Sequence, residues 1–270
     1  DEWKDTDVVE TAIYFLDGVM EEFIQKTNGQ SSMIRTHRHA MKGRALGLGV
    51  MGWHTFLQKK NLPFNSIAST AWTHTIFSKI KIQAEASSRQ LAQEYGEPLW
   101  CKGTGMRNTH VLAIAPTVSN SRINNCSAGI EPYPANMYTF NGAKGTFIVK
   151  NPELEKILIE NGHNTEKTWD QILADDGSVQ NLPSEALKED DKEIFLTFAE
   201  INQLGLIQQA ALRQKYIDQT QSLNLCFSPT DSPRWINQVH MEAWKLGIKT
   251  LYYLRTDSVI KGDLGSRTVD

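Results

Sequence analysis

The chain has 270 residues, with 28 basic and 31 acidic side chains and a formal net charge of -3. This length supports a sizeable buried core, whereas the balanced charge offers neither a basic face for a nucleic-acid polymer nor an acidic tail. The apolar runs are too short to span a bilayer and no signal peptide opens the chain. We therefore expect a cytoplasmic protein without a membrane partner.

The cysteines and histidines give no sign of a metal site. Cys101, Cys126 and Cys226 have neither paired nor metal-like spacing, which fits packing residues in a reducing compartment. His37 and His39 stand in the basic stretch RTHRH, which is more typical of solvated surface. No HExxH or G-x-S-x-G motif is found. We predict that this chain binds no metal.

An amphipathic helix is predicted at the start of the chain. Asp7 and Glu10 have the spacing of a capping box, and Asn28-Gly29 supplies a stop. One apolar face is expected to be buried, and its members are Val9, Ala12, Ile13, Leu16, Met20, Phe23 and Ile24. Because the chain lacks an initial Met and enters this helix almost at once, we expect it to be a piece of something longer.

The next segment is glycine-rich and becomes helical after about Gly52. Its GLGVMG stretch lacks the Lys-Ser/Thr of a phosphate loop, so close backbone packing is the better interpretation. A long helix or helical pair follows over 65–95 and ends at Gly96. Its predicted inner face consists of Ala68, Ala71, Trp72, Ile76, Ile80, Ala84 and Leu91.

A candidate anion site follows a buried strand predicted for Val111–Ala115. Pro116 stops that strand, and small polar residues then start a short helix. Free N–H groups at a helix start favour an anion. The hydroxyl groups there can cap the helix or hold a phosphate, and capping is the commoner outcome on chemistry alone. Glu131 in the GIEP stretch is a further candidate buried acid, although a lone carboxylate is weak support for a site.

The last part of the chain predicts helices between strands. NGAKGT (141–146) is typical of a hairpin turn, 174–183 of a surface loop, and 191–214 of a helix. A strand follows over 216–227, then a helix capped by Ser232-Pro233 and closed by Gly247, then a strand containing Tyr252 and Tyr253. A helix between two strands is the usual crossover for parallel pairing, so the class is α/β with a parallel sheet or barrel.

Four stretches, taken together, resemble the large subunit of class I ribonucleotide reductase. They are APTVSNS (115–121), GIEPYPANMYT (129–139), YIDQTQSLN (216–224) and KTLYYLRT (249–256), in the same order and with similar gaps. The opening helix and GRALGLGVMG (43–52) are also similar to that family. The resemblance implies the C-terminal half of a ten-stranded α/β barrel, with five parallel strands and crossover helices, preceded by helical segments. The resemblance further implies that residues 1–270 form a single region, and that the upstream half of the subunit, which carries the catalytic cysteines, is absent.

The resemblance also implies roles for particular residues. Tyr252 and Tyr253 match the pair that relays a radical, with Tyr253 as the outer stop and Tyr252 as the inner one. Without the neighbouring motifs, two aromatics that merely suit a strand would be the preferred interpretation. The substrate diphosphate would be held by Thr117, Val118, Ser119 and Asn120. Val118 stands where some members of the family have Glu.

The implied function is radical reduction of ribonucleoside diphosphates to deoxyribonucleotides. It requires a radical from a dimetal small subunit, a thiol reductant such as thioredoxin or glutaredoxin, and the missing N-terminal half, with no cofactor bound by this chain. None of the three cysteines matches a catalytic position of the family. The alternatives are a non-catalytic remnant or a regulatory module that binds phosphate or small subunit. A reductase of another class is a further alternative, but the tyrosine pair argues against it.

Overall fold

The structure is a computed structural model that describes residues 5–142 and 145–256. These residues form two compact units, each of which contains separate stretches of the chain. The first unit contains the residues up to Gly49, Trp72–Ala115 and Leu212–Gln221. The second contains Val50–Ala71, Pro116–Ala211 and the residues from Ser222 onward.

Helices make up most of the regular structure in the described ranges. The α-helices are α1 (Val8–Thr27), α2 (Ile34–Gly43), α3 (Trp53–Lys59), α4 (Ile67–Tyr95), α5 (Val118–Ile123), α6 (Pro152–Glu160), α7 (Glu166–Ala174), α8 (Glu189–Lys192), α9 (Gln203–Gln214) and α10 (Pro233–Lys245). Short 3-10 turns cover Ser31–Met33, Leu99–Cys101 and Glu193–Phe195.

The strands form one antiparallel and one parallel pair. Strands β1 (Met137–Gly142) and β2 (Gly145–Lys150) pair antiparallel, which confirms the predicted hairpin, although Ala143 and Lys144 of its turn lie outside the described residues. Strands β3 (Leu225–Phe227) and β4 (Leu254–Thr256) pair in parallel.

Two further parallel bridges lie within the first unit. They join Leu48 to Leu112 and Ile114 to Gln221. The carboxylate of Asp218 accepts hydrogen bonds from the N–H groups of Val111 and Leu112, at 2.8 and 2.9 Å. The segment predicted as a strand over Val111–Ala115 is therefore extended and held in parallel pairing, and the α/β class is confirmed.

Helix α1 follows its predicted periodicity but not its predicted cap. Val9, Ile13 and Ile24 are buried on the expected face, and the helix ends at Thr27, just before Gly29 with a φ of 77°. The capping box is wrong, because the side chain of Asp7 makes no cap hydrogen bond. At the other end of the chain the prediction holds: the Ser232 hydroxyl accepts from the N–H of Trp235 at 3.2 Å.

The predicted inner face of α4 is wrong at its start. The helix is continuous from Ile67 to Tyr95, but Ala68 and Ala71 are exposed whereas Ser69 and Thr73 are buried. The hydroxyl of Ser69 donates to the carbonyl of Pro63 at 2.7 Å. A hydroxyl that makes a hydrogen bond can be buried at little cost in free energy. A prediction that placed only apolar residues on the buried face therefore chose the wrong face for this turn.

The core of the second unit corrects two further predictions. Of the stretch 174–183, all but Ala174 is irregular as predicted. It is not a surface loop, because Val179 and Leu182 are buried in an apolar cluster with Trp169 and Phe195. The predicted continuous helix over 191–214 is also wrong, since the chain leaves helical structure over 196–202 before α9 begins.

Close packing explains the glycines before α3. An added Cβ on Gly49 would lie 2.2 Å from the carbonyl oxygen of Ala113, within the first unit. Gly52 has a φ of 77° and precedes Trp53, the first residue of α3. The close approach at Gly49 supports the packing interpretation, whereas Gly52 is suited to its position by its left-handed backbone conformation.

Candidate functional site

The rings of Tyr252 and Tyr253 lie against each other at the surface of the second unit. Their centroids are 4.1 Å apart with an interplanar angle of 47°, and the two residues are 53% and 57% exposed. A hydrogen bond with Tyr253 raises the pKa of Tyr252. The two phenols therefore form one contiguous, accessible pair. They lie just before β4, so the prediction that they belong to the strand itself is wrong.

The backbone of this pair is held by the segment that leads into β3. Tyr252 N–H donates to the carbonyl of Leu223 at 2.8 Å, and Leu225 N–H donates to the carbonyl of Tyr253 at 2.9 Å. Tyr253 N–H donates to the side-chain oxygen of Asn224 at 3.0 Å. Leu223, Asn224 and Leu225 are all buried. The two exposed rings are therefore attached to backbone that is hydrogen-bonded to a buried segment.

Residues 117–120 lie at the start of α5. Thr117 has left-handed backbone angles, φ 53° and ψ 27°, which are uncommon for a residue other than glycine. Its side chain does not cap the helix; the hydroxyl oxygen accepts instead from Gly129 N–H at 2.8 Å. Val118 is half-buried, whereas Ser119 and Asn120 are exposed. Capping was the commoner role expected for the hydroxyl groups of this segment, but the Thr117 hydroxyl instead holds the start of α5 against Gly129.

The GIEP loop, residues 129–132, contacts the start of α5 directly and is linked to the tyrosine pair through Asn224. Gly129 bonds to Thr117 as described, and Glu131 accepts from Asn224 N–H at 3.0 Å. Burial raises the pKa of Glu131, and hydrogen bonds from Asn224 and the charge of Arg255 offset only part of this effect. The candidate buried acid predicted at Glu131 therefore has an observed partner.

Residues next to both predicted sites line one small cavity in the second unit. Val118 of α5, Glu131 and Arg255 of β4 surround a volume of about 60 Å³. The Nε atom of Arg255 is buried and makes no hydrogen bond within the part of the chain that the structure describes. The fold thus brings the start of α5 and the strand after the tyrosines to the same space.

The cysteines contribute no redox pair. None of the three forms a disulfide; Cys101 is buried and the other two are partly buried. Burial raises the pKa of Cys126, an effect that the charge of Lys59 partly opposes. Over residues 5–142 and 145–256, no cluster of three or more His, Cys, Asp or Glu side chains could hold a metal ion. No helix in those same ranges is long and apolar enough to cross a membrane.

Sequence reasoning missed Asn224 altogether. It occurs in the YIDQTQSLN stretch, but its importance depends on contacts with residues far away in sequence, Glu131 and Tyr253. The only available signal was its position between the buried Leu223 and Leu225, where a polar side chain needs partners of its own.

Comparisons with known proteins agree with this architecture. The family described as "Ribonucleotide reductase, barrel domain" matches residues 1–100 and 99–254. The large subunit of ribonucleoside-diphosphate reductase from Invertebrate iridescent virus 6 is 39% identical over 267 residues, which cover 97% of this chain and 28% of that protein. The corresponding subunit of Invertebrate iridescent virus 3 is 36% identical over 253 residues, covering 92% of this chain and 40% of that protein.

A solved structure gives the same result. The alpha subunit of the class Id ribonucleotide reductase of Actinobacillus ureae superposes with a TM-score of 0.89 and 46% identity, covering 96% of this chain and 48% of that chain. Fold and sequence together define part of an α/β barrel domain. The chain belongs to the ribonucleotide reductase large-subunit family. It spans at most about half the length of these relatives.

Proposed function

We propose that this chain is the C-terminal part of a ribonucleoside-diphosphate reductase large subunit and supplies its tyrosine relay and diphosphate loop. The observation that carries the proposal is the contact of the Tyr252 and Tyr253 rings at 4.1 Å on an accessible surface. In this proposal residues 1–270 act as one barrel-half region, and the cysteine that becomes the thiyl radical is supplied from outside them.

The chemistry of phenols supports the relay. A tyrosine with a pKa of about 10 keeps its proton at neutral pH, and its oxidation makes that proton strongly acidic. Electron and proton therefore leave together. Tyr253 would lose both toward the small subunit and become a phenoxyl radical. It would then take a hydrogen atom, as an electron and a proton, from Tyr252, and Tyr252 would regain one from the thiol. The hydrogen bond between the phenols provides the proton path.

The start of α5 supports the substrate assignment. A helix leaves its first N–H groups without intrahelical partners, and these groups suit phosphate oxygens. The exposed side chains of Ser119 and Asn120 can add polar contacts. Thr117 holds the turn through Gly129, and Val118 brings no carboxylate to repel the diphosphate. Because α5 has only six residues, we assign binding to the N–H groups and side chains more than to the helix dipole.

The proposed partners follow from the same chemistry. A small subunit with a dimetal centre would generate the radical that Tyr253 receives. A thiol reductant, thioredoxin or glutaredoxin, would restore the enzyme after each turnover. The remaining part of the large subunit would complete the barrel, and the assembly would act in the cytoplasm on a ribonucleoside diphosphate.

The relay is tested by turnover of the whole large subunit that contains this chain. It is mixed with its small subunit, a reductant and a ribonucleoside diphosphate, and the deoxyribonucleotide is quantified. Tyr252→Phe and Tyr253→Phe should each reduce turnover to background, because phenylalanine cannot be oxidised by the same route. Tyr95→Phe, which alters another exposed tyrosine, should retain parent activity. Deoxyribonucleotide formation by Tyr253→Phe would contradict the relay. A parent that binds small subunit without turnover would favour the regulatory alternative.

The diphosphate loop is tested with an added charge. Ser119→Asp places a carboxylate beside the proposed diphosphate and should raise KM about tenfold or more through repulsion. Ser184→Asp makes the same change at another exposed serine and should leave KM unchanged. Equal KM values for the two variants would contradict the assignment.

A further inference from the structure

The parallel ladder between β3 and β4 slips by one residue at the tyrosine pair. Leu225 faces Leu254 in the regular part, and its N–H bonds to the carbonyl of Tyr253. If the regular parallel ladder continued toward the N-termini of the two strands, the next bond would run from the N–H of Tyr253 to the carbonyl of Leu223. That carbonyl accepts from Tyr252 N–H instead. The strand therefore departs from its register at the two tyrosines.

This slip has two consequences. In a regular strand, consecutive side chains point to opposite faces, which would separate the two rings, whereas here they touch. The slip also leaves Tyr253 N–H without its ladder acceptor, and a donor in such a position needs another partner. The geometry that brings the phenols together thus creates a backbone group that something else must satisfy.

Asn224 satisfies that group. Its side-chain oxygen accepts from Tyr253 N–H at 3.0 Å, and its backbone N–H donates to Glu131 at 3.0 Å. Hydrogen bonding from the Asn224 side chain also acts to lower the pKa of Glu131. The residue is only 3% exposed. An amide both accepts and donates, so one side chain can bridge a backbone N–H and a buried carboxylate.

We propose that Asn224 is a positioning residue for the radical relay, which holds the slipped backbone of Tyr253 with Glu131 as its anchor. This inference rests on the proposed relay function of the tyrosine pair. Asn224 exchanges no electron or proton with the phenols. It acts through the backbone of Tyr253, because without its oxygen the ladder can return to regular register and move the rings apart.

The test uses the whole large subunit with its small subunit. Asn224→Ala should lower kcat by about tenfold to a hundredfold, the usual effect of misplacing reacting groups by about an ångström, and leave KM for the ribonucleoside diphosphate unchanged. Aminotyrosine, which is easier to oxidise than tyrosine, can be placed at position 252 to trap the radical there. Its electron paramagnetic resonance signal should be smaller in Asn224→Ala than in the parent, by about the same factor as kcat. Cys226→Ala, a neighbouring substitution whose backbone bond to Gln203 remains available, is the matched control.

A double exchange separates positioning from general stability. In Asn224→Asp with Glu131→Gln, the donor and acceptor roles are swapped and the same bridge can form. We expect Asn224→Asp alone to be impaired, because it opposes two carboxylates, and the pair to recover kcat and the radical signal. Recovery of thermal stability without recovery of kcat would overturn the inference.

The remaining outcomes distinguish this inference from the function on which it rests. If Tyr253→Phe is inactive but Asn224→Ala keeps kcat within about twofold of the parent, the relay stands and the positioning role is wrong. If Tyr253→Phe is active, the relay itself fails and the positioning role fails with it.

Discussion

The substitution Asp17→Asn should destabilise the first unit strongly, although it only replaces one carboxylate oxygen with an amide nitrogen. Four side-chain hydrogen bonds converge on this carboxylate. Arg44 donates to Oδ1 and Oδ2, each at 2.9 Å, Arg107 donates to Oδ2 at 3.0 Å, and Asn108 donates to Oδ1 at 2.9 Å. An amide keeps one oxygen and turns the other into an N–H₂ group that faces two donors.

The magnitude follows from burial. The side chains of Asp17, Arg44 and Arg107 are 7%, 6% and 11% exposed, so both guanidinium groups would lose their buried counter-charge. Removing one partner of a buried ion pair costs about 3–5 kcal/mol. Arg44 keeps a second carboxylate, Glu21 at 2.7 Å. We therefore expect a loss near the lower end, about 3 kcal/mol.

The same helix provides a matched control. Glu22 and Lys26 form a shorter contact, 2.6 Å, but their side chains are 61% and 72% exposed. Solvent screens such a pair, so Glu22→Gln should leave stability unchanged within error. Because the chain forms two compact units, a single global unfolding transition need not report on the first unit. Amide hydrogen exchange of α1 peptides measures the local free energy of opening directly.

The pH dependence gives a second check on the same pair of variants. Burial alone would raise the pKa of Asp17, but hydrogen bonds from Arg44 and Arg107 outweigh it and lower the pKa below 3.8. Its stabilisation is therefore present above that value and lost as pH falls through the lower, folded-state pKa. Parent and Asp17→Asn should converge only in that acidic range. A loss below about 1 kcal/mol at neutral pH would refute the argument that burial makes this ion pair strong.

Two further predictions concern packing and acid stability. Gly49→Ala should cost about 2 kcal/mol or more in unfolding free energy, because its Cβ would overlap the carbonyl oxygen of Ala113. Gly18→Ala, at a position in α1 with open space around it, should be neutral or stabilising. Equal effects of the two substitutions in denaturant titration would contradict this prediction. Burial lowers the pKa of His54 from 6.5 to about 3, so its contribution to stability is complete above pH 6.5 and is lost as pH falls toward 3. The melting temperature of His54→Gln should depend less on pH in that interval, and parallel curves for parent and variant would contradict the assignment.

Local patterns predicted several features of the helices correctly, because these features depend on neighbours in sequence. The periodicity of α1 and the Ser232 cap of α10 were both found where expected. The failures share a physical cause. Ser69 is buried because the carbonyl of Pro63, six residues earlier, accepts its hydroxyl. Val179 is buried although turn-forming residues surround it. Asp17 is buried on a helix face because two arginines and an asparagine reach it from outside the helix. The partners of Asp17 lie between 27 and 91 residues away in the sequence, so a local window does not contain them.

The tyrosine pair shows how a proposed functional role can be paired with a wrong prediction of local structure. The motif predicted a strand through Tyr252 and Tyr253, but in a regular strand the two phenols would have faced opposite sides. The proposed short hop between them requires a break in the register at that point, and departures from local rules are expected at functional sites. The compensation lies in Asn224, on another segment. A sequence window that contains the two tyrosines therefore includes both phenols but not Asn224, the residue that we propose holds them in position.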